Sequence, residues 1–271
     1  MKTIIVPTDF SDASNNAAAY GLKMAMETGA SLLLFHAFQV PVSVTDIPIV
    51  LLSVEDLQKD ANSRVLALQR QLEISSKGMA KINSEAVLGD TVDELEKIAA
   101  RTEPSAIIMG SRGETGIERK LFGSTTLKTV RHLSWPVIVV PMGKTFHGIK
   151  KIGLACDFKE VAETIPSQAI ISFAKIFNAT LFVLHVSKDK KEFAENEVQQ
   201  FRQMFGELQT EVEVMSEEKL EDAINRFEKE KNLDLLIVIP KKHKLLEGLF
   251  QKSHTRQILF GSQVPVMCIH A

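Results

Sequence analysis

The chain repeats itself at long range. Lys2-Thr3-Ile4-Ile5-Val6-Pro7-Thr8-Asp9-Phe10 aligns with Lys150-Lys151-Ile152-Gly153-Leu154-Ala155-Cys156-Asp157-Phe158. Leu34-Phe35-His36-Ala37 aligns with Val183-Leu184-His185-Val186, Ser105–Met109 with Asp234–Val238, and Trp135-Pro136-Val137-Ile138 with Val264-Pro265-Val266-Met267. A duplication of this span implies two copies of one domain, and 271 residues suit that number. The boundaries read as 1–145 and 146–271, with Met142 to Gly148 as a short linker.

Each copy alternates short apolar runs with stretches of helical periodicity. Ile4-Ile5-Val6 is β-branched and continuous, as a strand covered on both faces must be. Ser11 or Asp12 then caps a helix that Gly29 stops, with Ala17, Ala18, Leu22, Ala25 and Met26 on one side. Further strands are expected at 31–37, 84–88, 106–110 and 135–141, and helices at 54–73, 91–100 and 124–132. Five strands alternating with four helices predict a parallel α/β sheet with right-handed crossovers. Pro136 and Pro141 put the fifth strand at an edge. The segment 38–53 is too apolar for a free loop; it folds against the ligand face or into an inter-domain or inter-subunit contact.

The fourth strand leads into the stretch that carries chemistry. It ends at Gly110-Ser111-Arg112-Gly113, and Gly123 then opens a helix with Ser124, Thr125 and Thr126 in its first turn. Glycines allow a ligand to approach the backbone, and a helix N-terminus offers unpaired N–H groups and partial positive charge. Two separated pieces of one loop thus form a phosphate cradle. It is neither a P-loop nor a G-x-G-x-x-G turn, since neither pattern occurs at this place.

The spacing Gly110-x2-Gly113-x9-Gly123-Ser124 resembles the ATP-binding signature of the universal stress protein family. Val6-Pro7-Thr8-Asp9-Phe10-Ser11 is similar to that family's first strand and turn, and Leu34-Phe35-His36-Ala37 to the end of its second strand. The resemblance implies two tandem five-stranded, Rossmann-like domains of strand order 3-2-1-4-5, with a crevice between strands one and four. It implies that Pro7, Thr8, Asp9 and the Ala37 backbone surround the adenosine of ATP, ADP or AMP. Gly110, Arg112, Gly113, Gly123, Ser124 and Thr125 would hold ribose and phosphates, and a magnesium or manganese ion would be held by the phosphates. Single-domain members commonly dimerise through the fifth strand. Here the two fifth strands are expected to pair antiparallel about a pseudo-two-fold axis, and 48–52 could still drive homodimerisation.

The second copy departs at the cradle. Pro240 aligns there with Gly110 and roughly His243 with Gly113, while Phe122-Gly123-Ser124-Thr125 becomes Phe250-Gln251-Lys252-Ser253. Asp157 persists alone, and Lys241, Lys242 and Lys244 read as a solvated loop before they read as an anion site. One nucleotide per chain follows.

A net charge of −2 gives no reason to expect nucleic acid or an anionic membrane as partner. No apolar run is long enough for a span, and the two cysteines, Cys156 and Cys268, read as buried thiols of a reducing compartment, so the expected location is cytoplasmic. His36 and His185 read as packing residues, because no metal-ligand spacing accompanies them. Glu114, next to Gly113, is the loop carboxylate that could orient a water, so hydrolysis would be weak at most. Three functions compete: ATP-dependent signalling in a stress response with an unknown protein partner, a slow ATPase or adenylyl-handling hydrolase, and a nucleotide-free scaffold.

Overall fold

The computed structural model describes residues 2–40, 53–111, 123–156, 158, 160–186, 195–215, 220–240, 258–259 and 261–271. The first half runs β1 (Thr3–Pro7), α1 (Asp12–Thr28), β2 (Ser31–Phe38), α2 (Val54–Ser76), β3 (Ile82–Leu88), α3 (Thr91–Thr102), β4 (Ala106–Gly110), α4 (Ser124–His132) and β5 (Val137–Val140). The second runs β6 (Lys151–Ala155), α5 (Val161–Thr164), α6 (Ser167–Phe177), β7 (Thr180–Val186), α7 (Glu195–Met204), β8 (Thr210–Met215), α8 (Leu220–Lys231), β9 (Leu235–Val238) and β10 (Val266–Cys268).

The strands form one ten-stranded sheet in the order β3-β2-β1-β4-β5-β10-β9-β6-β7-β8. Each half is a parallel 3-2-1-4-5 sheet, as the family resemblance implies, and the second is read in reverse. The halves join where β10 runs antiparallel to β5, with Val266 opposite Val139, Met267 opposite Ile138 and Cys268 opposite Val137. Since Val137, Ile138 and Val139 correspond to Val266, Met267 and Cys268, this register is symmetric about Ile138 and Met267. The local two-fold passes between those two residues. The fifth strands are thus edges of their own halves and interior strands of the whole, which removes two unpaired edges.

Side chains alternate between faces with the period of two that strands impose. Ile4, Val6, Leu32, Leu34, Ile108 and Ile138 pack with α1, α2, α6 and α7. Ile5, Leu33, Phe35, Ile107, Val137 and Val139 pack with α3, α4 and α8. Both clusters run unbroken through the two halves. The linker shares in this: Phe146 is buried and meets Tyr20 of α1 edge-on at 5.2 Å and Phe177 of α6 at 6.2 Å. Burial pushes the Tyr20 hydroxyl well above its ordinary pKa, helped by the charges of Asp234 and Glu27.

Two features of the repeat differ from the sequence reading. Strand registers pair Ile4 with Ala106 and Ile152 with Leu235, so Ile239, not Pro240, stands where Gly110 stands in the first half. The stretch from β6 to β7 is one residue longer than its counterpart, Lys151 to Thr180 against Thr3 to Ser31. The extra residue is accommodated where Ile165-Pro166 divides α5 from α6, whereas α1 is continuous. Proline has no N–H to continue a helix ladder. Cys156 also lies just beyond its strand and is half-buried, while Cys268 is fully buried, its thiol pushed up to about 12 by burial. Among the described residues no helix is long and apolar enough to cross a membrane.

Candidate functional site

The carboxyl ends of β1 and β4 frame the site, and a proline separates them. Alternate residues of β1 face alternate neighbours: Lys2 and Val6 lie on the β2 side, Thr3 and Ile5 on the β4 side. Thr3 accepts from the Ser105 N–H at 2.8 Å, and the β1–β4 ladder covers Ile4 with Ala106 and Ile5 with Ile107. The next β1 donor toward β4 would be residue 7, but Pro7 has no N–H. The ladder stops there. In the second half Ala155 occupies that place, and the β6–β9 ladder continues to Ala155 opposite Val238. The first half therefore opens at the topological switch point where the second is paired to the strand end.

Beyond Pro7 the turn is held by hydroxyls. The Thr8 N–H donates to the Phe35 carbonyl at 2.7 Å, and Thr8 Oγ1 takes the Phe10 N–H at 3.0 Å and lies 3.1 Å from Ser14 Oγ. Phe10 is left-handed at φ 64, a conformation that this local network supports. Ser11 does two things. It caps α1 by accepting from the Ser14 N–H, and it donates its own hydroxyl to Asp9 Oδ1 at 2.6 Å. Asp9 is exposed at the mouth of the crevice. Burial alone would raise its pKa, but the bonds from the Ser11 hydroxyl and N–H, with Ser14 behind them, hold it below the ordinary value. It is a fixed, ionised acceptor, suited to hydroxyls or amino groups of a ligand.

His36 ends the buried part of β2 and donates from Nδ1 to the Thr8 carbonyl at 2.7 Å, bracing the turn after β1 against β2. Its ring lies 4.5 Å from that of Phe10, whose other neighbour is the Arg64 guanidinium at 4.1 Å. The second half repeats the brace: His185 Nδ1 donates to the Cys156 carbonyl at 3.0 Å, and Phe158 is left-handed at φ 48. Against the Phe158 ring, however, stands the buried Phe201, 5.3 Å away, in place of an exposed guanidinium. Ala37 is partly exposed on the outer stretch of β2.

Gly110 and Gly123 are glycines for different reasons. A Cβ on Gly110 would meet Ala13 of α1, with the carbonyl carbon at 2.5 Å and the carbonyl oxygen closer still. Gly110 therefore lets α1 pack on β4, a reason within the fold that sequence spacing did not reveal. Gly123 has φ −54 and ψ 133, a conformation open to any residue, and a Cβ there would meet only Thr126 Oγ1 at 3.8 Å among the described residues. Nothing described requires glycine at 123.

The contrast with the other helices of the first half is informative. Ser11, Ser53 and Asp90 cap α1, α2 and α3 with side-chain oxygens, from backbone conformations close to that of Gly123. Only α4 of these four begins with no side-chain cap. Among the described residues no side chain caps its first-turn N–H groups, with Ser124 exposed and Thr125 half-buried beside them. Thr126 is buried and its hydroxyl donates to the Gly110 carbonyl at 3.4 Å, tying the start of α4 to the end of β4. That tie was not anticipated, although a hydroxyl three residues after Gly123 is its sequence signal.

Pro7, Thr8, Asp9, Ala37 and Gly110 thus lie at the carboxyl edge of the first-half sheet, and Gly123, Ser124 and Thr125 at the start of α4. Arg112, Gly113 and Glu114 lie outside the described residues, as do residue 157, the 241–257 stretch and the apolar segment 41–52. Among the described residues no group of three or more His, Cys, Asp or Glu is placed to hold a metal ion.

Comparison with known proteins agrees with this architecture. A crystal structure of a universal stress protein from Archaeoglobus fulgidus aligns with 99% of this chain and 98% of its own, at 19% identity and a TM-score of 0.77, which shows the fold of both halves together. Universal stress protein MJ0531 of Methanocaldococcus jannaschii is 31% identical over 150 residues, covering 53% of this chain and 84% of its own length. Universal stress protein MJ0577 of the same organism is 28% identical over 152 residues, covering 51% and 94%. The model of the universal stress protein family matches residues 1–141, more than half of the chain. By that match and the 31% identity to a relative covered over most of its length, the chain belongs to the universal stress protein family.

Proposed function

We propose that the chain binds one adenine nucleotide, ATP or its relatives ADP and AMP, in the crevice between β1 and β4, and acts in a cytoplasmic stress response through nucleotide-dependent conformation. The observation that carries this reading is the uncapped start of α4 beside a ladder that Pro7 stops short. In this reading Pro7, Thr8, Asp9 and the Ala37 backbone surround the adenosine, with Asp9 accepting from its hydroxyls. Gly123, Ser124 and Thr125 supply N–H and O–H donors to phosphate, joined by Gly110, Arg112 and Gly113 from the loop. Any magnesium or manganese ion arrives with the phosphates.

Residues 1–145 form the binding domain and 146–271 a domain with a degenerate site. The paired β6–β9 ladder and the apolar cover of Phe158 by Phe201 support that division of labour. Calorimetric titration of the full chain with ATP tests it. One site per chain is expected. No detectable heat, together with no nucleotide in mass spectra of gently purified protein, would leave the scaffold reading in its place.

A further inference from the structure

Helix α4 is held at its far end by the other half of the molecule. A helix leaves its last carbonyls without intrahelical partners. In α4 the Leu133 N–H closes on the Thr129 carbonyl, and Leu133 itself is extended at φ −82 and ψ 140. The next carbonyl, that of Val130, has no following turn to fill it, and Val130 is only 2% exposed. A buried carbonyl needs a donor. It receives one from His270, whose Nε2 lies 2.8 Å away across 140 residues of sequence. Facing a carbonyl, that nitrogen is the one that carries the proton. The ring's other nitrogen, Nδ1, is shielded from solvent and has no partner among the described residues. The bond to α4 is therefore the ring's one described polar contact.

The contact has no mirror image. Under the correspondence of Val137 with Val266 and Val139 with Cys268, His270 corresponds to Pro141. Proline has no side-chain donor to offer the second half. The link thus runs one way, from the second half to the helix that begins the proposed cradle.

We infer that His270 is a positioning residue through which the second half holds α4 in the pose that its N-terminal donors need. The inference rests on the proposed nucleotide site, and it gives the second half a role: it sets the affinity of the first. A helix of nine residues moves largely as one body, so freeing its last turn shifts the N–H groups of its first.

The test uses the full chain with His270→Phe, which fills the space without a donor, and His270→Gln, whose amide nitrogen can reach the same carbonyl. Two readouts are taken: backbone hydrogen exchange across α4 without nucleotide, and the dissociation constant for ATP. His270→Phe is expected to speed exchange in α4 severalfold and weaken ATP binding about three- to tenfold, and His270→Gln to restore both toward wild type. A role in packing alone would lower the melting temperature of both variants while leaving exchange in α4 and affinity unchanged, which overturns the inference. Faster exchange with unchanged affinity overturns it too. Should the wild-type chain bind no ATP, the proposed function fails, and exchange in His270→Phe against His270→Gln alone upholds or overturns the link.

Discussion

Replacing Gly123 with serine should strengthen the fold and weaken the ligand. The backbone at 123 (φ −54, ψ 133) lies close to those of Ser11 (φ −69, ψ 162) and Ser53 (φ −66, ψ 155), which already cap helices here. A serine at 123 would find no obstacle, since the nearest described atom to its Cβ is 3.8 Å away. Its hydroxyl would accept from the N–H two or three residues on, an improvement over glycine worth a few tenths of a kcal/mol. That gain would raise the melting temperature by about 1 °C. The same bond removes one donor from the cradle and puts a side chain between the helix and the anion. A hydrogen bond to a charged group contributes about 1.5–3 kcal/mol, so ATP affinity should fall roughly 10- to 100-fold. Thermal unfolding without nucleotide and calorimetry with ATP give the two numbers. Unchanged affinity in a protein of equal or greater stability would refute the reasoning that glycine is there for the ligand.

Four further outcomes follow from the same geometry. Gly110→Ala should cost about 3 kcal/mol, the upper end of overpacking, because the new methyl meets the Ala13 backbone; chemical unfolding at wild-type midpoint would contradict this. Pro7→Ala should extend the β1–β4 ladder, giving a slowly exchanging amide at position 7 and weaker ATP binding, with stability nearly unchanged as the new bond offsets the lost rigidity. An exposed, fast-exchanging amide there would show that something else parts the strands. Ser11→Ala should remove the α1 cap at about 1 kcal/mol and return Asp9 toward the ordinary carboxylate pKa, read by NMR titration. Because the native Asp9 pKa is lowered, its contribution to stability is present at neutral pH and lost as pH falls through that lowered value, a loss that Ser11→Ala should diminish.

Much of this fold was readable from local chemistry. Ser11 and Gly29 marked the ends of α1 as a cap and a left-handed stop, and the apolar runs at Ile4, Leu32 and Ile107 marked buried strands. The duplication, together with the family resemblance, led to the antiparallel join of the fifth strands. What escaped depends on neighbours far apart in sequence. Gly110 was read as making room for a ligand, yet it first makes room for Ala13, which only the packing of α1 on β4 reveals. Pro7 was assigned by resemblance, and its effect on the ladder emerged only when β1 was set against β4 and β6 against β9. Pro240 was set against Gly110 although the aligned strands Ser105–Met109 and Asp234–Val238 leave Ile239 at that position, and the register of β6 on β9 fixes it there. His270, in a chain end of low apparent content, gave no signal at all.

The join of β5 to β10 lies within one polypeptide, and this makes it indifferent to dilution. Two separate copies meeting through the same strands would part as their concentration fell, and any influence of one on the other would fade with the complex. Tethered by the short stretch between Val140 and Lys151, the two halves present their fifth strands to each other at an effective concentration that expression level cannot change. Covalent fusion also lifts the obligation of a symmetric pair to carry the same residue twice. One side can hold a histidine where the other holds a proline, and each half can drift toward a different task while the strand pairing that unites them stays as it was.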